Sequence, residues 1–255
     1  MAYVVSGLVQ KIVHNIRPRE NTAGATDQCC RAASDELSEC FTAGTSKEKT
    51  FRSVVDAFLK IDKQTGPLPQ VGIVGDLYVR DNDVFNQNLV SHIEKTGAEA
   101  VTVPFIDTLN LLAGIHFQTQ WQFGRYFNLL KDTVAHNMLK AFNKRLNAIV
   151  TPVIGNRSGG LKHGPLYYLE KHFFTIRHGG ETSENLLKVY YLKEHYPDLK
   201  LIINVNPIFC CPGLISEAIY KSVEKEIGIP IVSITYDGTQ ADKNSVLNPY
   251  LYFLK

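Results

Sequence analysis

Between residues 181 and 235 the apolar period changes three times, and this alternation constrains the fold more than any other feature. Residues 181–196 read as a helix, with Thr182 as N-cap and Glu184 and Lys188 as an (i, i+4) pair. Residues 201–205 read as a buried strand. A second helix is expected over 214–227, its inner face made by Ile215, Ile219, Val223 and Ile227. Gly228 stops it, Pro230 prevents its resumption, and residues 231–235 give the next strand. Strands joined through helices in this way make parallel, right-handed crossovers. The expected class is therefore α/β, an open, mostly parallel Rossmann-like sheet of about four strands flanked by helices.

The same grammar recurs upstream. Residues 70–74 read as a strand, and a loop through Asp76, Tyr78, Arg80 and Asn82 leads to a helix near 84–95 with Leu89, Val90 and Ile93 inward. Gly97 occupies a C-cap position and residues 100–104 give another strand. Residues 1–66 form a helical prefix, with helices over 6–16, 26–41 and 47–61 closed by a Gly/Pro-rich connector at 64–69. The α/β domain then runs over 67–255, with a helical insertion at about 107–150. That insertion carries His116, Phe117, Trp121, Phe123, Tyr126 and Phe127, read as core or as a subunit contact, a homodimer included. Residues 155–160 are expected to be loop, and a terminal helix is expected over 242–254.

Composition narrows the function classes. A net charge of +2 with no basic stripe gives no electrostatic footprint for nucleic acid. No apolar run approaches bilayer length, so no membrane association is expected. Gln10, Lys11 and His14 interrupt the N-terminal apolar stretch, which argues against a signal peptide. Five cysteines, four of them in adjacent pairs, make a poor disulfide framework, and a reducing, cytoplasmic location is expected.

In open parallel sheets ligands bind beyond the carboxyl ends of the strands. Here those ends deliver Asp76, then Cys210 and Cys211, then Asp237 with Gly238 and Thr239. Cys210 and Cys211 precede Pro212 and Gly213, a helix start whose dipole lowers a nearby thiol pKa. They are read either as a thiolate ligand or as small residues packed in a turn. Cys29, Cys30 and Cys40 share one predicted helix, where adjacent side chains diverge by about 100°, and are read as packing. The segment His178-Gly179-Gly180-Glu181-Thr182 opens a helix and is read either as an anion-holding N-terminus or as an ordinary glycine-rich turn. Glu181 is correspondingly an acid/base candidate or a partner of the helix dipole. Mononuclear zinc is the weaker alternative, because few thiols or imidazoles accompany Cys210. Walker A, dinucleotide, zincin and nucleophile-elbow motifs are absent from the sequence.

The run Asn206-Pro207-Ile208-Phe209-Cys210-Cys211-Pro212-Gly213, then Gly228-Ile229-Pro230-Ile231-Val232 and Tyr236-Asp237-Gly238-Thr239, resembles the C-terminal signature of the 2-hydroxyacyl-CoA dehydratase superfamily. The runs 71–80, 178–182 and Ile16-Arg17-Pro18-Arg19-Glu20 are similar to segments of its activator-related branch, the CoA-substrate-specific enzyme activases. The resemblance implies an oxygen-sensitive iron–sulfur cluster, single electrons from an ATP-dependent activator protein, and an acyl-CoA or other small substrate. It implies Cys210 as the cluster ligand, with Cys211 the alternative. Cys210, Cys211, Asp76, Gly180, Glu181 and Asp237 are then the residues around the cofactor. Relatives carry an N-terminal lobe with further cluster cysteines, so the missing ligands are expected from such a lobe or from a partner subunit. The rival expectation is a ligand-binding or scaffold domain that has no cluster of its own.

Overall fold

The computed structural model describes residues 2–254 except Asn156, Ser158 and residues 176–179. Three helices come first: α1 (Ala2–Ile16), α2 (Ala25–Ala43) and α3 (Lys47–Leu59). Strand β1 (Gln70–Gly75) is followed by the short helices α4 (Leu77–Asp81) and α5 (Leu89–Glu94) and by β2 (Glu99–Thr102). An antiparallel hairpin of long helices, α6 (Phe105–Gln122) and α7 (Tyr126–Ile154), comes next, then α8 (Pro165–Glu170) and α9 (Glu181–His195). The chain ends with β3 (Leu199–Pro207), α10 (Cys211–Ile227), β4 (Ile231–Tyr236) and α11 (Asn248–Tyr252).

The strands form one sheet in the order β2-β1-β3-β4, and every neighbouring pair is parallel. The expected α/β class and strand number are therefore what the structure has. On one face Val74, Val101 and Ile202 pack under α6, α8, α9 and α10. On the other, Val71, Ile73, Leu201, Ile203 and Val205 pack under α4, α5 and the C-terminal turns. Burial on both faces explains why β1 reads as a short apolar run rather than an alternation. Gly72 lets α9 approach closely, since a Cβ there would stand 2.7 Å from Leu192.

A third apolar cluster joins α1, α2 and α3 to α7 and Ile106. It meets the sheet through a buried polar seam at the outer edge of β2. Glu99 there accepts from Arg157 at 2.5 Å, Arg19 at 2.9 Å and Asn15 at 3.0 Å. Burial alone would push its carboxyl up, but the two guanidiniums hold it below the usual value. Lys11 pairs with Asp107 at 2.7 Å in the same seam.

Three local expectations change. The helix expected near 84–95 is shortened to α5, because Asn82 caps Val84 and Phe85 while the buried Asn86 binds the carbonyls of Val79 and Arg80. Gln87 and Asn88 adopt left-handed φ values of 57°, so the helix cannot begin before Leu89. The loop expected around Tyr78 and Arg80 is α4. The terminal helix is also interrupted. Asp242 caps a 3-10 turn over Asn244–Leu247, and α11 starts afresh with a proline in its first turn.

Candidate crevice at the sheet switch point

From β1 the chain crosses to β2 on one side, and β3 lies against β1 on the other. The strand order thus reverses between β1 and β3, where a crevice opens beyond the carboxyl ends in sheets of this kind. The backbone arranges both lips. Asp76 N–H donates to the Val205 carbonyl at 2.9 Å, which ties the end of β1 to β3. The Asp76 carboxylate then caps α4 by accepting from Val79 N–H at 2.8 Å. On the β3 side, Phe209 turns the chain with φ of 64° and Cys210 caps α10, its Sγ accepting from Gly213 N–H at 3.3 Å. Gly213 is needed there, since a Cβ would meet the Asn206 amide at 2.5 Å.

Helix α9 supplies the third wall. Its N-cap is Gly180, at φ of 119°, and the expected Thr182 cap is displaced. Thr182 Oγ1 instead donates to the Pro212 carbonyl at 3.3 Å and fastens α9 to the start of α10. This puts Glu181 into the field of Asp76 and Cys210. Burial, then repulsion from Asp76 and Glu184, pushes the Glu181 carboxyl up. Cys210 is also pushed up, first by burial and then by the Glu181 and Asp76 charges, although its bond from Gly213 N–H opposes this. The lowered thiol pKa expected at a helix start is therefore overturned by burial and two neighbouring carboxylates.

Beneath these groups lies a polar layer that the sheet buries. Lys188, with no exposed side chain, pairs with Glu184, and burial together with the Arg80 charge lowers its pKa. Asn185 is fully buried and neither atom of its amide has a hydrogen-bond partner among the described residues. Asn204 and Asn206 point to the same face of β3, each with a buried Oδ1 likewise unpartnered among them. Asn204 donates to Ser233 across β4 at 3.2 Å. Sequence reasoning passed over this layer. Its signal was present as two asparagines two residues apart at the end of an apolar strand, a pattern that aims both at one face.

The other expected residues are placed differently. Asp237 follows β4 and commits its carboxylate to Lys243 at 2.7 Å and to both Thr239 donors, which hold it far below the carboxylate range. Cys211 is exposed on the first turn of α10. Cys29, Cys30 and Cys40 sit on α2; Cys29 and Cys30 pack against the helical cluster, and Cys40 is buried with its Sγ donating to the Thr45 carbonyl at 3.7 Å. His178 and Gly179 lie outside the described residues, as do Asn156 and Ser158 of the expected loop.

Among the described residues no group of three His, Cys, Asp or Glu side chains is placed to hold a metal ion. The crevice offers Cys210, with Cys211 beside it, and no described cysteine beyond these two lies on its rim. Those residues fit one corner of a thiolate-ligated cluster, which takes four ligands. Among the described residues no helix is long and apolar enough to cross a membrane. No protein-family model, curated protein or solved structure matches this chain.

Proposed function

We propose that the chain is the C-terminal component of a cytoplasmic iron–sulfur protein related to the 2-hydroxyacyl-CoA dehydratases and their activator-related proteins. In this reading Cys210 gives one thiolate to a cluster whose other ligands come from an N-terminal lobe or a partner subunit. The carrying observation is the position of Cys210: a half-buried thiol on the lip of the β1/β3 switch point, facing Asp76 and Glu181. A cluster bound there would supply low-potential one-electron transfer to a small substrate. The chain's own part is to fix Cys210 through Gly213 N–H and to hold a proton on Glu181, whose carboxyl burial and neighbouring charges keep protonated to higher pH than usual.

The test is anaerobic reconstitution of the chain together with a candidate lobe, read by iron, acid-labile sulfide and electron paramagnetic resonance. A cluster that requires both the lobe and Cys210 is expected. Equal cluster content in Cys210→Ala overturns the reading.

The Asn185 amide and the Oδ1 atoms of Asn204 and Asn206, unpartnered among the described residues, favour a second reading, a crevice that binds a small polar ligand without a cluster. An anion at the start of α9 fits poorly, because Glu181 and Glu184 already occupy its first turn with negative charge.

A further inference from the structure

Two neighbouring pockets open along the α6–α7 hairpin, and they are opposite in character. The first, about 570 Å³, lies between α6, α7 and the start of α9. Leu109, Leu112, Phe117 and Leu139 make it apolar. His116 and Asp132 are bonded to each other at 2.9 Å, and burial and the nearby Lys140 charge push the His136 pKa down. The second pocket, about 490 Å³, is amide-rich and basic, lined by Asn110, Asn143, Asn147, Lys140 and Lys144 beside the Gly159–Gly160 backbone. Asp107 also borders it but is neutralised by Lys11. Neither lysine has an ion-pair partner among the described residues, and Asn110 Oδ1 is buried without a hydrogen bond. His136 stands in both walls, edge-on to Phe117 at 5.4 Å.

We propose that the α6–α7 hairpin and the start of α9 form a binding site for an amphipathic anion. Its apolar body fills the leucine-lined pocket and its carboxylate or phosphate head meets Lys140, Lys144 and the asparagines. Pockets of this size, mostly apolar with a few placed polar groups, are what small molecules occupy. An uncharged hydrophobe leaves the two lysines without a counter-charge, and a small inorganic anion leaves the apolar pocket exposed to water. Only a molecule with both parts uses both walls. The site does not rest on the cluster reading, although Gly180 lines it and is the neighbour of Glu181.

The test uses the full chain and 1-anilinonaphthalene-8-sulfonate, an aromatic body with an anionic head, beside its neutral analogue N-phenyl-1-naphthylamine. One-to-one binding of the sulfonate is expected. Decanoate or decyl phosphate should displace it, and decanol about tenfold less well. Displacement by decanoate alone or by decyl phosphate alone identifies the head group. The exposed double variant Lys140→Glu/Lys144→Glu should weaken the sulfonate about tenfold and leave the neutral analogue unchanged. Ala113→Phe, which fills the apolar pocket, should weaken both. A second apolar surface, the exposed Phe127, Leu130, Val134 and Met138 on α7, is controlled by Phe127→Ser, which should change nothing. The proposal is overturned if decanol competes as well as decanoate and decyl phosphate. It is equally overturned if the lysine variant binds the sulfonate normally, or if Phe127→Ser removes binding.

Discussion

Cys210 begins a 17-residue helix, where free N–H groups favour a thiolate, and yet its thiol is pushed up because burial and two carboxylates outweigh the single bond from Gly213. Removing one charge should reverse part of this. In a Cys211→Ser background, Glu181→Gln should raise the rate of Cys210 alkylation by iodoacetamide at pH 8 about two- to fivefold, followed by peptide mass spectrometry. An unchanged rate separates Glu181 from the thiol. His14 offers a stability test. It is buried, its Nδ1 has no partner among the described residues, and burial followed by the Arg17 charge lowers its pKa to about 4. The folded chain keeps this ring neutral while the unfolded chain protonates it below about 6.5. Stability therefore falls as pH drops from 6.5 to 4, by about 3 kcal/mol from this group. Urea unfolding at several pH values should show that slope, and His14→Leu should flatten it. Neither environment could be read from sequence, because both depend on which helices meet over the ring or the thiol.

At the scale of elements, the strands and the long helices were legible because burial imposes a period on them. The run from Leu199 to Pro207 is buried at all but its second and last positions, and a sequence window sees that directly. The segment after β1 escapes such a window for a local reason. Its asparagines act through side-chain bonds to backbone groups and through left-handed φ, and neither leaves an apolar period. Glycines at the junctions carry a graded prediction. Gly75, at φ of 108°, would place a Cβ 2.1 Å from the Val205 carbonyl oxygen, whereas Gly97, at φ of 84°, has nothing within 4 Å. Gly75→Ala should cost more than about 3 kcal/mol, from strain plus a backbone clash, and Gly97→Ala about 1 kcal/mol from φ alone. Thermal melts of the two variants check the order, and equal losses would mean that β1 and β3 are not in the register described.

For the whole molecule, the helical segment before β1 behaves as part of the core. α1 buries Val5, Leu8, Ile12 and Ile16 in the cluster shared with α7, and Asn15 and Arg19 satisfy Glu99 on β2. A chain lacking residues 1–66 leaves that carboxylate buried beside fewer partners and exposes the α7 face. It should show no cooperative calorimetric transition, and a sharp one would make the segment an independent unit. The sequence showed these helices but not what they lean on, because the seam joins residues far apart in the chain. The candidate site was legible to the same limited degree. Strand ends named Asp76, Cys210 and Asp237, but only the strand order put the first two together and left Asp237 bound to Lys243.

The pairing of Gly75 with Val205 has a consequence for how such a chain is made. During synthesis β1 leaves the ribosome with β2 soon behind it, but its other flank stays open until α4 to α9 have been translated. Closing so long a loop is slow, and an unpaired central strand is an adhesive edge while it waits. The crevice cannot exist before that closure, so any partner or ligand that uses it meets the nascent chain only once β3 has emerged.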